Sequence, residues 1–515
     1  MPLSNNTNLA RLLLWNEKLA GDLPIYEFGG KTITRQQLQQ DVLKKAAGLR
    51  RWVNPGEHIL LCLNDSPSLV SLFLAAIAIG AVPAVVNPRC RDVTLQDLLQ
   101  HNQTKLLFVQ PERVKKICVE GRSQVFSDAT ADHTSFAGFG LEVTEDEILS
   151  LDNFYSANAD ERCYLQYTSG STGTPKAVIH TINTTLGFCK VVVDHCAQVL
   201  PGVRSYSVAR MFFGYGMGNS LFFPLYAGWH ALLHAEWPST ELVLDVLADF
   251  KPALFFAVPA LYSQLKSHSA VLKNITFAVS AGAPLPDTEY QFWRSQGLLL
   301  RDGLGATEMG HIFLAQPHSL DSYSCAGLPL PGYQCELRAP QGDVLDGSHQ
   351  EGVLYVRGPS MSPGYAGNVA ATIERFTGGW YNTGDRFARD ENGFYHFRGR
   401  ADDLFKVKGR WVTPQAVEQR FLAQFSDVTE AALVASHPHT DEYHPTLFIV
   451  SGKFSLAERD TMQRWLRESC EAPMVPRCIA QVQALPRNDN GKLSRRDLQQ
   501  QAYALLQKEL DEALV

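Results

Sequence analysis

The sequence predicts an α/β protein in which a large N-terminal domain of layered α/β subdomains, with a small β-rich subdomain, precedes a small α+β C-terminal domain. Three observations predict it. Helical and strand-like runs alternate through the first ~150 residues and again around residues 253–280. From about Gly327 the texture changes to short strands between Gly/Pro turns. The last ~110 residues carry a separate mixture of strand and helix patterns. The length of 515 residues exceeds what one core serves and suggests about three units.

The elements follow in order. HILLCLN and KLLFVQP read as buried strands. The stretch Ser66 to Pro88 has no charge, but Pro67, Gly80, Pro83 and Pro88 punctuate it, so it reads as a buried helix over about 69–79 and a strand over 82–86 rather than a membrane span. A Gly/Ser/Thr-rich loop at Thr168–Thr174 follows the strand-like YLQY. Further strands are expected at Ala253–Val258 and Phe277–Ser280, and GVLYVRG belongs to the β-rich part. A polar run at Arg400–Asp403 marks the expected boundary, giving domains 1–401 and 402–515. Beyond it AALVAS and TLFIVSG read as strands, and Ser455 with Glu458 forms a capping box opening a helix with Met462, Trp465 and Leu466 on one face.

Composition excludes several classes. Net charge is −7, which argues against a nucleic-acid partner. Ten cysteines without C-x-x-C spacing, and no signal peptide in MPLSNNTNLARLLLWNE, fit a reducing, cytoplasmic setting with no membrane partner. Lookalikes fail: GYGMG lacks the last glycine of a dinucleotide fingerprint, and no Walker A or G-x-S-x-G sequence is present. His437, His439, Asp441 and His444 read as a solvated loop rather than a metal site.

The chemistry concentrates in YTSGSTGTPK. Gly170 and Gly173 let the backbone approach a ligand, Thr168, Ser169, Ser171 and Thr172 add hydroxyls, and Lys176 adds a positive charge. Such a loop suits a polyphosphate. This segment resembles the phosphate loop of the adenylate-forming superfamily, which includes acyl-CoA synthetases, peptide-synthetase adenylation domains and beetle luciferases. Five further segments resemble that family in order: Ser280-Ala281-Gly282-Ala283-Pro284, Asp302-Gly303-Leu304-Gly305-Ala306-Thr307-Glu308, Tyr381-Asn382-Thr383-Gly384-Asp385, Gly399 to Val412, and Pro486 to Lys492. One departure stands out. The family motif usually ends Lys-Gly, whereas Lys176 is followed by Ala177, which a backbone requiring positive φ would resist.

The resemblance implies activation of a carboxylic acid by ATP. It assigns Glu308 to Mg²⁺, Thr307 to the α-phosphate, Asp385 and Arg400 to the ribose, and Gly282–Pro284 with Asp302–Gly305 to the adenine side. Lys492 would bridge the substrate carboxylate and the α-phosphate, with Thr168, Lys176 and Glu308 as the other catalytic groups. It also implies a mobile C-terminal domain that pivots at Asp402, and Lys408–Gly409 lining a thiol channel.

The run Met211 to Leu225 is aromatic and glycine-rich, so Phe213, Gly214, Tyr215 and Gly216 are expected to form a flat slot for a ring. With LQYTSGSTG, MGHIFLA and LPRNDNGKL, the run resembles the benzoate-type aryl-CoA ligases, above all the anthranilate–CoA ligases of alkylquinolone biosynthesis. On that resemblance Ala281, Gly282 and His311 join the acid pocket, and the expected reaction makes aryl-AMP from an aromatic acid, then aryl-CoA. The basic stretch Lys406, Lys408, Arg410 favours CoA. Loading of a carrier protein in trans remains the alternative, and a homodimer stays open.

Overall fold

The computed structural model describes residues 7–101, 103–117, 124–127, 143–168, 175–197, 199–317, 325–408, 410–436, 443–452, 454–487 and 493–513. They divide into two compact units. The first holds residues 1–335, 355–383 and 393–395; the second holds 336–354, 384–392 and 396–515.

Two large sheets build the first unit. One has six strands, five of them parallel, closed at its edge by the antiparallel strand Lys176–Thr181 against Arg162–Thr168. The expected strands HILLC and LLFV sit side by side in it as His58–Cys62 and Leu106–Val109. The other has nine strands, with Leu254–Ala257, Phe277–Ala281 and Leu300–Gly305 as adjacent parallel members. Parallel strands need both faces covered, which is why Leu254–Ala257 and Phe277–Ala281 are buried at every position rather than alternating.

The uncharged stretch forms helix Pro67–Ala78, buried along its whole length, and strand Val82–Val85. Ser66 caps the helix through Leu69 N–H, and Pro67 occupies the first turn, where its missing N–H has no intrahelical partner to lose. Lys45 from the neighbouring helix Arg35–Leu49 donates to Ser71 Oγ at 2.6 Å and to Asp41 at 2.8 Å, so the buried cation there is paired. Among the described residues, no helix is long and apolar enough to cross a membrane.

The second unit contains a three-stranded sheet of Val428–Ser436, His444–Ser451 and Cys478–Gln481. The capping box forms as expected: Ser455 Oγ accepts from Glu458 N–H, opening helix Leu456–Ser469. Met462 and Leu466 are buried there with Trp465 beside them. Of the four candidate metal-ligand residues, His437, His439 and Asp441 lie outside the described residues, and His444 begins a strand.

Candidate active site

The phosphate-loop candidates sit on a hairpin. Thr168 and Lys176 are register partners at the ends of its two strands, so both flanks of the loop are held together. Ser169, Gly170, Ser171, Thr172 and Gly173 lie outside the described residues. Ala177 pairs with Tyr167 inside the ladder, is buried, and is not among the residues of positive φ. The departure from Lys-Gly therefore costs no backbone strain, because an ordinary strand position tolerates a β-carbon.

From Lys176 a chain of side chains runs inward. Its ammonium stands 5.3 Å from the centroid of the Tyr365 ring. The Tyr365 hydroxyl donates to Glu308 Oε1 at 2.7 Å. Burial, and then the Glu308 charge, push the Tyr365 hydroxyl well above its usual range, so it stays a donor. Ser362 N–H donates to the Glu308 carbonyl at 2.8 Å, fixing the backbone of the turn Thr307–Met309. His180, fully buried and stacked 4.9 Å from Tyr164, holds the same turn through Nε2 to the Thr307 carbonyl at 3.0 Å. Burial pushes His180 down to about 4, so the ring is neutral, and a carbonyl partner assigns the proton to Nε2.

Sequence reasoning missed Tyr365 and His180. His180 had a faint signal, a lone imidazole in the apolar strand that follows the phosphate loop. Tyr365 had none, since its role exists only through a partner 57 positions away.

The aromatic run folds as helix Gly214–Met217, a π-turn at Gly218–Phe222 and helix Phe223–Ala227. Such π-turns gather at functional sites. Phe213, Gly214 and Tyr215 remain partly open, but Gly216 is buried. A β-carbon on Gly216 would lie 2.4 Å from the Ala209 carbonyl oxygen and nearer still to that of Arg210. Backbone packing thus accounts for this glycine by itself. Tyr215 donates to the Val279 carbonyl at 2.9 Å, and its ring lies 5.3 Å from His311. His311 is buried among Phe188, Tyr215 and Phe223, with Nε2 3.2 Å from Asn219 Oδ1 on the π-turn. Burial holds its pKa down at about 3, so it is a neutral imidazole.

In the segment 280–284, Ala281 ends its strand beside Gly303. Gly282 has φ +91°, and a β-carbon there would meet nothing nearer than Val258 at 3.8 Å, so the backbone angle and not space demands glycine. Gly282, Ala283 and Pro284 are exposed, Leu304 is half-buried and Gly305 exposed. Asp302 points inward instead: its Oδ2 accepts from Leu285 N–H at 3.2 Å, and burial pushes its pKa up to about 7. It braces the turn carrying Gly282–Pro284.

In the second unit Arg400 donates to Asp385 at 2.8 Å and lies 3.6 Å from Asp402. Asp402 is exposed in the single turn Ala401–Asp403. Asp403 and Glu418 both pair with Arg495, at 2.9 and 2.8 Å, tying this turn to the helices behind it. Lys408 is exposed at a hairpin turn with φ +49°. Gly409 and Lys492 lie outside the described residues; Arg487 and Leu493, which flank the lysine loop, are bridged to each other.

A family model described as AMP-binding enzyme matches residues 15–366, more than half of the chain. The chain belongs to the AMP-binding enzyme family. This AMP-binding enzyme is 42% identical over 509 residues to the anthranilate–CoA ligase of Pseudomonas aeruginosa, covering 95% of this chain and 96% of that protein. It is 32% identical to a 4-hydroxybenzoate–CoA/benzoate–CoA ligase of Rhodopseudomonas palustris, covering 87% of this chain and 84% of that one. Among solved structures, a benzoate CoA ligase from Burkholderia xenovorans superposes with a TM-score of 0.82 at 27% identity, covering 96% of this chain and all of that one.

Proposed function

We propose that this enzyme is an anthranilate–CoA ligase: it condenses anthranilate with ATP to anthraniloyl-AMP and pyrophosphate, then transfers the acyl group to CoA with release of AMP. The observation that carries this reading is the 42% identity along 95% of the chain to a protein of that activity. The site supports it. Lys176 supplies positive charge beside the phosphate hairpin, and Thr307 is presented by a turn clamped through both His180 and Ser362. Thr168 closes the opposite strand of that hairpin. Phe213, Gly214 and Tyr215 offer a partly open aromatic face to a ring, beside a neutral His311 that leaves the acid's carboxylate unpaired by it. Asp385 and Arg400 are assigned to the ribose hydroxyls, as acceptor and donor.

Mg²⁺ is the ion this reading requires. Glu308 fits it, being a buried carboxylate, a hard oxygen donor, with one oxygen steadied by Tyr365. When bound, the ion would offset the charge of the phosphates.

The deciding test is pyrophosphate release and thioester formation across anthranilate, benzoate, fluorobenzoates and C8–C16 fatty acids. The aromatic acids are expected to have far higher kcat/KM, because bulky walls leave no room for a long alkyl tail. Equal or better kcat/KM on a long-chain acid would sink the reading. Offering free CoA against a carrier-protein thiol separates the two acceptors.

Asp402 is proposed as the pivot between the two half-reactions, with the division at 401/402. Proline there fixes φ near −65°. Asp402→Pro is expected to keep ATP–pyrophosphate exchange and lose most thioester production; full thioester activity in the folded variant rules the pivot out.

A further inference from the structure

A buried ion pair anchors the start of the aromatic run. Asp65, in the loop between strand His58–Cys62 and helix Pro67–Ala78, and Arg210, directly before the run, are both buried. The two Asp65 carboxylate oxygens accept from Met211 N–H at 3.3 and 3.2 Å, across 146 positions. Arg210 donates to three successive carbonyls, those of His234 at 2.5 Å, Ala235 at 2.7 Å and Glu236 at 2.9 Å. Among the described residues its Nε has no hydrogen-bond partner, and the Asp65 carboxylate is its counter-charge, 3.7 Å away. The Arg210 carbonyl accepts from Phe213 N–H at 3.0 Å and lies against the place a Gly216 β-carbon would take. Its guanidinium stands 5.7 Å from the Trp237 ring centroid, and Trp237, Phe212 and Phe213 follow as a line of rings at 6.0 and 4.2 Å. Helix Gly214–Met217 starts after Phe213, whose side chain cannot cap, so the segment before it sets where it begins. A cavity beside the pair, lined by Asp65, Ser207, Arg210, Ser220 and His234, gives that segment room to shift once the pair is broken.

We propose that Asp65 and Arg210 are positioning residues for the acid: the pair fixes the segment Phe213–Tyr215 from behind, and with it the affinity for the aromatic acid. This rests on that segment being the acid's slot. Burying a carboxylate and a guanidinium is costly, and an apolar pair of similar volume would serve stability as well. What the charged pair adds is one fixed arrangement, because displacing either partner leaves a buried charge uncompensated. Here the arrangement is one of backbone: the carboxylate grips the first N–H of the run, and the guanidinium ties the residue before it to residues 234–236. Where Gly214 presents bare backbone, no side chain can adjust, so a displaced backbone is felt directly by a bound ring.

The experiment measures pyrophosphate release by wild type, Asp65→Asn and Arg210→Lys, varying anthranilate and ATP separately. Asp65→Asn keeps the shape and removes the charge. Arg210→Lys keeps the charge but cannot reach three carbonyls at once. Each is expected to raise KM for anthranilate about tenfold, below the roughly 10²-fold that a 1 Å misplacement can cost. KM for ATP should stay at the wild-type level and kcat should fall less than about threefold, the pattern of lost ground-state binding. A pair that merely braces the fold would lower the melting temperature and the active fraction, cutting kcat with both KM values unchanged. That result overturns the proposal, as does an equal rise in both KM values. If one variant fails to fold, the other decides by the same comparison; failure of both marks a fold brace and also overturns it. Phe213→Ala in the same assay tests the slot itself. An unchanged KM for anthranilate there removes the acid from this face, whereas a raised KM there with unchanged values in both pair variants overturns the pair alone.

Discussion

Lys492→Ala should lower anthraniloyl-AMP formation about a hundredfold or more while sparing thioester formation from supplied anthraniloyl-AMP. A carboxylate attacking ATP brings two anions together, and pyrophosphate leaves with further charge. A cation at the α-phosphate stabilises that developing charge in the transition state more than in the ground state, so its loss falls on kcat. The second half-reaction expels AMP from an adenylate already formed and needs no such offset. Measuring both half-reactions on one folded preparation decides the matter. Equal losses would show that the lysine does something else.

Glu308→Gln should cut adenylate formation by a factor on the order of 10²–10³ and raise the Mg²⁺ concentration needed for half-maximal rate. The amide keeps the shape and can still accept from the Tyr365 hydroxyl, so folding is expected to hold. What it loses is the negative charge that a hard cation requires. Tyr365→Phe removes the hydroxyl but keeps the ring under Lys176, and should cost at most about 10- to 150-fold, since one hydrogen bond to a charged group contributes about 1.5–3 kcal/mol. A Glu308→Gln enzyme with wild-type rate and wild-type Mg²⁺ dependence would remove the carboxylate from ion binding.

The chemistry class was legible because adenylation fixes residue types locally. A glycine-rich loop ending in lysine and a Thr-Glu turn each occupy a short segment, and both lie within residues 15–366, which match the AMP-binding enzyme family. The strands were legible for the same local reason: a parallel strand with both faces covered must be apolar, as Leu254–Ala257 and Phe277–Ala281 are.

The sequence by itself therefore determined the α/β class, the strand before the Gly/Ser/Thr-rich loop, an apolar helix over about 69–79 and the chemistry class. Only the tertiary structure decided which polar and glycine residues hold the frame. Gly216 stands in an aromatic run suited to a slot, but two backbone carbonyls fill the space its side chain would need. Asp302 stands in a nucleotide motif, but its carboxylate turns inward to Leu285. Tyr365 and His180 brace Glu308 and Thr307 across 57 and 127 positions. The physical reason is the same throughout: periodicity and turn chemistry act over a few residues, whereas a hydrogen-bond partner or a steric limit is set by whatever segment the fold brings alongside.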